Sequence, residues 1–278
     1  MKTLKLLYPE WQGYGQDDRA CEGAYTVHEA FSKDTGFIEI VVPRGERLCV
    51  EDGILGRSSI VRNSMAAFAQ LKKAQPDRIF MIGGTCGSEI VPVSYLNQSY
   101  NSDLAVLWFD AHGDLNTPES SPSAHFHGMV LRTLLGDGDQ SLTKFVPSPL
   151  SPSQVTLIGV RDLDTSEAEY TSAEHIPIIS PDDLINSNAV IAAVKRYETS
   201  NLYIHLDLDF FNPDNFKGAQ VPHPGGISMN QLIPVLSDLN SRYTVVGLSV
   251  VEFASNNLTV AAQIPALFKK SGINWPFT

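Results

Sequence analysis

The run Leu104-Ala105-Val106-Leu107-Trp108-Phe109 is apolar throughout and ends on Asp110-Ala111-His112-Gly113-Asp114. Unbroken apolar runs of this length read as strands buried on both faces, which is the pattern of a parallel sheet. A second run, Leu202 to Leu208, carries Ile204-His205-Leu206-Asp207-Leu208-Asp209. Further β-rich runs are Phe37 to Val42, Ile79 to Ile82, Gln154 to Val160 and Tyr243 to Val251. Helical patterns fall between them, at Ser58–Lys73, Pro181–Tyr197, Ser228–Leu239 and Asn257–Lys270. In the first of these Ile60, Met65, Phe68 and Leu71 lie roughly along one stripe. Pro234 and Pro265 predict a kink or break in the last two. Strand–helix alternation predicts an α/β fold with an open, mostly parallel sheet covered by helices. No repeat, low-complexity tract or linker divides the chain, so residues 1–278 read as a single domain.

In such sheets ligands gather beyond the carboxyl ends of the strands, where the two acidic clusters stand. Strand alternation sends residues i, i+2 and i+4 to one face. On that reading Asp110, His112 and Asp114 converge, as do Asp207 and Asp209. Four carboxylates and an imidazole at strand ends repel one another unless cations lie among them. Asp and His suit Mn²⁺, Zn²⁺, Ni²⁺ or Fe²⁺ better than copper(I). Two divalent ions would neutralise four aspartates. Two metals about 3.5–4 Å apart can share and activate a water. The pattern therefore predicts metal-assisted hydrolysis. The loops Asn116–His127 and Asn212–Gly226 each closely follow a cluster and are candidates for substrate recognition.

Whole-chain properties exclude other classes. The chain has 278 residues, is 43% hydrophobic and carries a formal net charge of -11. So acidic a chain offers no broad basic surface for nucleic acid. No apolar run has the length of a membrane span, and Met1 to Glu10 does not read as a secretory signal. Three cysteines, Cys21, Cys49 and Cys86, are too few and too odd for a disulfide framework, which points to a cytoplasmic protein.

Five motifs together resemble the ureohydrolases, the family of arginase, agmatinase and formimidoylglutamase. They are Gly83-Gly84-Thr85-Cys86-Gly87-Ser88, Asp110 to Asn116, Ser123-Ala124-His125-Phe126-His127-Gly128, Asp207-Leu208-Asp209 and Val251-Glu252, in that order. The resemblance implies a three-layer α/β/α fold and usually two manganese ions. It implies cleavage of a C–N bond in a guanidino compound, most simply an arginine-like one, with release of urea. Agmatinase or formimidoylglutamase activity, or a non-catalytic metal-binding protein on the same fold, are the alternatives. A homo-oligomer, commonly a trimer or hexamer, is also implied.

Residue by residue, Asp110, His112, Asp114, Asp207 and Asp209 match five of the six usual metal ligands, with Asp110 and Asp207 bridging. His127 matches a proton-shuttling histidine, and Glu252 matches the acid that holds the guanidinium. Asn116, Ser123 and Asp164 match positions that contact the amino-acid part of the substrate. Asp162 and Asp164 also read as a turn or helix cap ahead of Ser166–Tyr170. His125 stands where arginases commonly have asparagine. The sixth ligand of the family is the histidine of Gly-Gly-Asp-His, and here that residue is Cys86, preceded by Thr85 in place of Asp. Cys86 as a thiolate would favour Zn²⁺, Ni²⁺ or Co²⁺ over Mn²⁺. As a neutral thiol or an inert buried residue it would leave that ion weakly held or absent.

Overall fold

The structure, a computed structural model, describes residues 1–31 and 36–277. Among the described residues ten strands form: β1 Thr3–Tyr8, β2 Phe37–Glu39, β3 Val50–Glu51, β4 Ile54–Leu55, β5 Arg78–Gly83, β6 Ala105–Phe109, β7 Val155–Ile158, β8 Ile178–Ile179, β9 Asn201–Asp207 and β10 Thr244–Val251. Eight of them build one sheet in the order β2-β1-β5-β10-β9-β6-β7-β8, and β3 and β4 pair separately. Every pairing in the large sheet is parallel.

The main helices are α1 Arg19–Ala30, α2 Arg57–Ala74, α3 Ile90–Ser99, α4 Val130–Leu134, α5 Gln140–Thr143, α6 Thr165–Ala173, α7 Asn188–Tyr197, α8 Met229–Arg242, α9 Leu258–Ala261 and α10 Gln263–Lys270. Strand alternation sorts the core into two layers. Leu4, Leu6, Trp108 and Leu157 pack with α2, α3 and α4 on one face. Leu7, Phe80, Phe109 and Ile204 pack with α1, α7, α8 and α10 on the other. This is the expected three-layer α/β/α arrangement, with helices covering both faces of the sheet.

Several expectations about elements change. Strand β1 was not anticipated, because Lys5 interrupts its apolar run. The run at Phe37–Val42 is a strand only to Glu39, although the Ile40 N–H still donates to the Leu7 carbonyl at 2.8 Å. In α2 the buried stripe is Ile60, Ser64, Ala67 and Leu71, and Met65 is exposed. Pro234 lies inside α8 without ending it. The Asn257–Lys270 segment divides at Ala262, and Pro265 falls in the first turn of α10, where a missing N–H leaves no helical bond unmade. The Pro181–Tyr197 segment becomes a 3₁₀ turn, Pro181–Ile185, followed by α7.

Strand order decides what meets. The adjacent central strands β5, β10, β9 and β6 lead at their carboxyl ends into Cys86, Glu252, Asp207 and Asp110 respectively. Residues far apart in the chain thus share one edge of the sheet, beside the loop 116–127.

Candidate metal centre

Strand alternation does not assemble the acidic clusters as expected. β6 ends at Phe109, and Asp209 lies in a 3₁₀ turn, Leu208–Phe210, beyond β9. Convergence comes from two matching side-chain turns. Asp110 Oδ1 accepts the His112 N–H at 2.7 Å, and Asp207 Oδ1 accepts the Asp209 N–H at 2.7 Å. An aspartate bonding the backbone two residues on curls the chain sharply. Asp209 Oδ1 then accepts the Ala111 N–H at 3.0 Å and ties the two turns together.

Two groups of donors result. In the first, Asp110, His112 and Asp209 bring one ligand atom each within 4.8 Å of the others. His112 Nδ1 lies 2.9 Å from Asp209 and 3.5 Å from Asp110. In the second, Cys86, Asp110, His205 and Asp207 meet within the same 4.8 Å span, all buried. The Cys86 thiol donates to Asp207 Oδ2 at 3.1 Å. Among the described residues Asp114 joins neither group. It is buried, holds a left-handed backbone at φ 54°, and its Oδ2 has no hydrogen-bond partner. A left-handed non-glycine backbone costs energy and persists where its surroundings impose it.

The electrostatics are those of a site short of positive charge. Burial first, then neighbouring carboxylates, push Asp114, Asp207 and Asp209 above the usual carboxylate range. Burial acts the same way on Asp110, but the neighbouring imidazoles of His112 and His205 overcome it and hold that carboxyl low. Burial disfavours the charged His112 ring, yet its bonds to Asp110 and Asp209 prevail and raise it well above an ordinary imidazole. Burial and the surrounding acids raise Cys86, so by itself it is a neutral thiol. Buried acids, imidazoles and a thiol with an orphaned carboxylate oxygen form a donor set suited to divalent cations.

His205 was not anticipated as a site residue, although it stands two residues before Asp207 on the same strand. Glu89, just after Cys86, is also new. It accepts from Tyr203 Oη at 2.5 Å and from Ser249 Oγ, and it lies 2.7 Å from His205 Nδ1.

The remaining anticipated residues surround this centre. Glu252 is buried with φ 60°, a second strained backbone at the site. Its Oε1 accepts the Cys86 N–H at 2.9 Å and lies 3.3 Å from His127 Nδ1, while its Oε2 has no hydrogen-bond partner. Tyr14 packs against both His125 and His127, with ring centroids 5.4 and 5.0 Å away. Burial and the neighbouring His127 lower the His125 imidazole. A cavity of about 360 Å³ opens over the centre, lined by His112, Asp114, Asn116, Ser123, His125 and Asp164 among others. Asp164 is the N-cap of α6, with Glu167 completing a capping box, and it also accepts from Asn116 Nδ2 at 2.8 Å. Asp164 thus caps α6 and lines the cavity at once. Arg161 ties the 212–226 loop to the site, donating to the Asp209, His223 and Pro224 carbonyls.

A sequence pattern described as the Arginase family matches residues 27–263. The chain is 32% identical over 157 residues to an arginase of Entamoeba histolytica, covering 55% of this chain and 53% of that protein. It is 31% identical over 189 residues to an arginase of Staphylococcus aureus, covering 64% and 62%. The matched region thus spans about half to three-fifths of these relatives. The crystal structure of the E. histolytica arginase in complex with L-ornithine superposes with a TM-score of 0.86 over 97% of both chains at 21% identity, a likeness of fold.

Proposed function

Because the chain belongs to the arginase family, we propose that it is a metal-dependent hydrolase that cleaves a C–N bond of an arginine-like guanidino compound and releases urea. The observation that carries this reading is Glu252. Its carboxylate is buried beside Cys86 and His127, with Oε1 engaged and Oε2 unpartnered. A planar guanidinium is the cation that satisfies such an acid best.

Two divalent ions, when bound, would supply Lewis acidity and a nucleophile drawn from water at neutral pH. Asp110, His112, Asp207 and Asp209 would hold one of them. Asp110 and Asp207 would also serve the other ion, beside Cys86. Mn²⁺ is the family's usual ion, and the thiol at position 86 makes Co²⁺, Ni²⁺ and Zn²⁺ its competitors there. Glu252 orients the guanidinium. His127, 3.3 Å from that carboxylate, stands where it can hand a proton to the leaving amine. Asn116, Ser123, His125 and Asp164 line the cavity and would receive the amino-acid end. The ornithine held by the E. histolytica relative supports an amino-acid substrate over a simple amine. We further propose a cytoplasmic homo-oligomer. Among the described residues no helix is long and apolar enough to cross a membrane.

The test is product release from arginine, agmatine, guanidinobutyrate and a formimino amino acid, with Mn²⁺, Co²⁺, Ni²⁺ and Zn²⁺ in turn. Urea from arginine in preference to agmatine is expected. Formamide in place of urea would move the substrate to the formimino class. A folded, metal-loaded protein inert toward every compound would overturn the hydrolase reading.

A further inference from the structure

We propose that His205 supplies the imidazole that residue 86 lacks, so that Cys86, Asp110, His205 and Asp207 form a four-ligand site, with Glu89 positioning the histidine. This rests on the metal-centre reading above and gives one of its two positions a different ligand set from the one the sequence motifs imply.

Register brings His205 to the site. On β9 it lies opposite Trp108 of β6 and Ser249 of β10. Its ring stacks on Trp108 at 3.5 Å between centroids and 13° between planes. Tyr203 and Ser249 hydroxyls donate to Glu89, so that carboxylate acts as an acceptor and the proton on its third contact belongs to His205 Nδ1. The stack and the Glu89 bond together leave the ring one orientation. In it Nε2 faces the centre, fully buried, with only long contacts: 3.6 Å to Asp110 Oδ2 and 3.8 Å to Cys86 Sγ.

Those long contacts set His205 apart from a histidine that only packs. An ordinary core histidine is satisfied at both nitrogens, whereas this one has a short bond on one side only. Separations of 3.1, 3.6 and 3.8 Å among these donor atoms lie close to the edges of about 3.3–3.8 Å expected in a tetrahedron with bonds of about 2.0–2.3 Å. A carboxylate on the far nitrogen of a ligating imidazole is the usual way to fix its tautomer and aim. Binding breaks the Cys86 S–H bond, forms a sulfur–metal bond and releases the proton to solvent, with no change of oxidation state. One thiolate, one imidazole and two carboxylates in four-coordinate geometry suit Zn²⁺ or Co²⁺ better than Mn²⁺.

The test uses metal-depleted full-length protein titrated with Co²⁺, reading bound ions per chain and the near-ultraviolet thiolate-to-Co²⁺ charge-transfer band. Wild type should bind two ions and show the band. Cys86→Ser should abolish the band. His205→Gln and His205→Ala should lose one ion and also lose the band, although Cys86 is intact. Glu89→Gln should weaken the ion that gives the band about 10- to 100-fold. Asp209→Asn should lose the other ion and keep the band. Wild type that binds two ions and releases urea without the band would overturn the proposal and leave the hydrolase reading standing. So would a folded His205 variant that retains both the band and two ions. Wild type that binds no ion would sink both readings together.

Discussion

Glu10 shows how much a single buried side chain can carry. It follows β1, is fully buried, and accepts from Thr85 Oγ at 2.5 Å and from the Gly13 N–H at 2.8 Å. The family motif has Asp where Thr85 stands, so a carboxylate from a different strand now occupies that neighbourhood. Burial, reinforced by Glu252, pushes Glu10 up to about 7 against its hydrogen bonds. Between about 4.5, its unfolded value, and about 7 the folded chain keeps a proton that the unfolded chain releases. Its contribution to stability is therefore complete below about 4.5 and lost as pH rises through 7, on the order of 3 kcal/mol in all. Glu10→Gln should remove this loss, so that its stability relative to wild type climbs from pH 4.5 to 7 and then levels off. Urea denaturation of both proteins across that range measures it, and parallel pH curves would contradict the assignment.

At the scale of elements, the site depends on how closely helix and strand ends approach. α1 crosses the exit of β10 at Gly23, where an added Cβ would lie 1.5 Å from the Phe253 carbonyl oxygen. Backbone cannot yield there without moving Glu252, the residue before Phe253. Gly23→Ala should cost about 3 kcal/mol or more in stability, seen as a lowered thermal midpoint. It should also reduce urea release per folded molecule, because Glu252 shifts with the strand end. A variant with wild-type midpoint would mean that α1 can slide away from β10. Sequence reading reached the elements unevenly for reasons of the same kind. The unbroken apolar runs of β6, β9 and β10 have no other stable home than a doubly covered sheet. Strand β1 carries Lys5, and α3 begins Ile90-Val91-Pro92-Val93, so local pattern alone pointed away from both assignments.

For the whole molecule, the parallel order β5-β10-β9-β6 places four chain segments and their acids on one rim. The scaffold around that rim is an apolar two-layer core that does not require the acids. The acids repel one another unless a cation is present. Removing metal should therefore lower the unfolding midpoint while leaving the far-ultraviolet circular dichroism unchanged at low temperature. With free metal about 1,000-fold above its Kd, bound metal adds about 4 kcal/mol, or of the order of 10 °C at this size. An unshifted midpoint after chelation, with metal loss verified by elemental analysis, would mean that the donor groups do not hold ions in the native state.

The amino-acid sequence by itself determined the layered fold and the acid-rich strand ends, because buried parallel strands and clustered ligands leave local signatures in residue type and spacing. It also exposed the break at Cys86. Its meaning for the metal site was decided only by tertiary structure. His205 is 119 residues away from Cys86, and nothing in local pattern separates a histidine aimed at a ligand site from one packed in a core. Strand register, the Trp108 stack and the Glu89 carboxylate make that distinction, because they fix where a single ring nitrogen points.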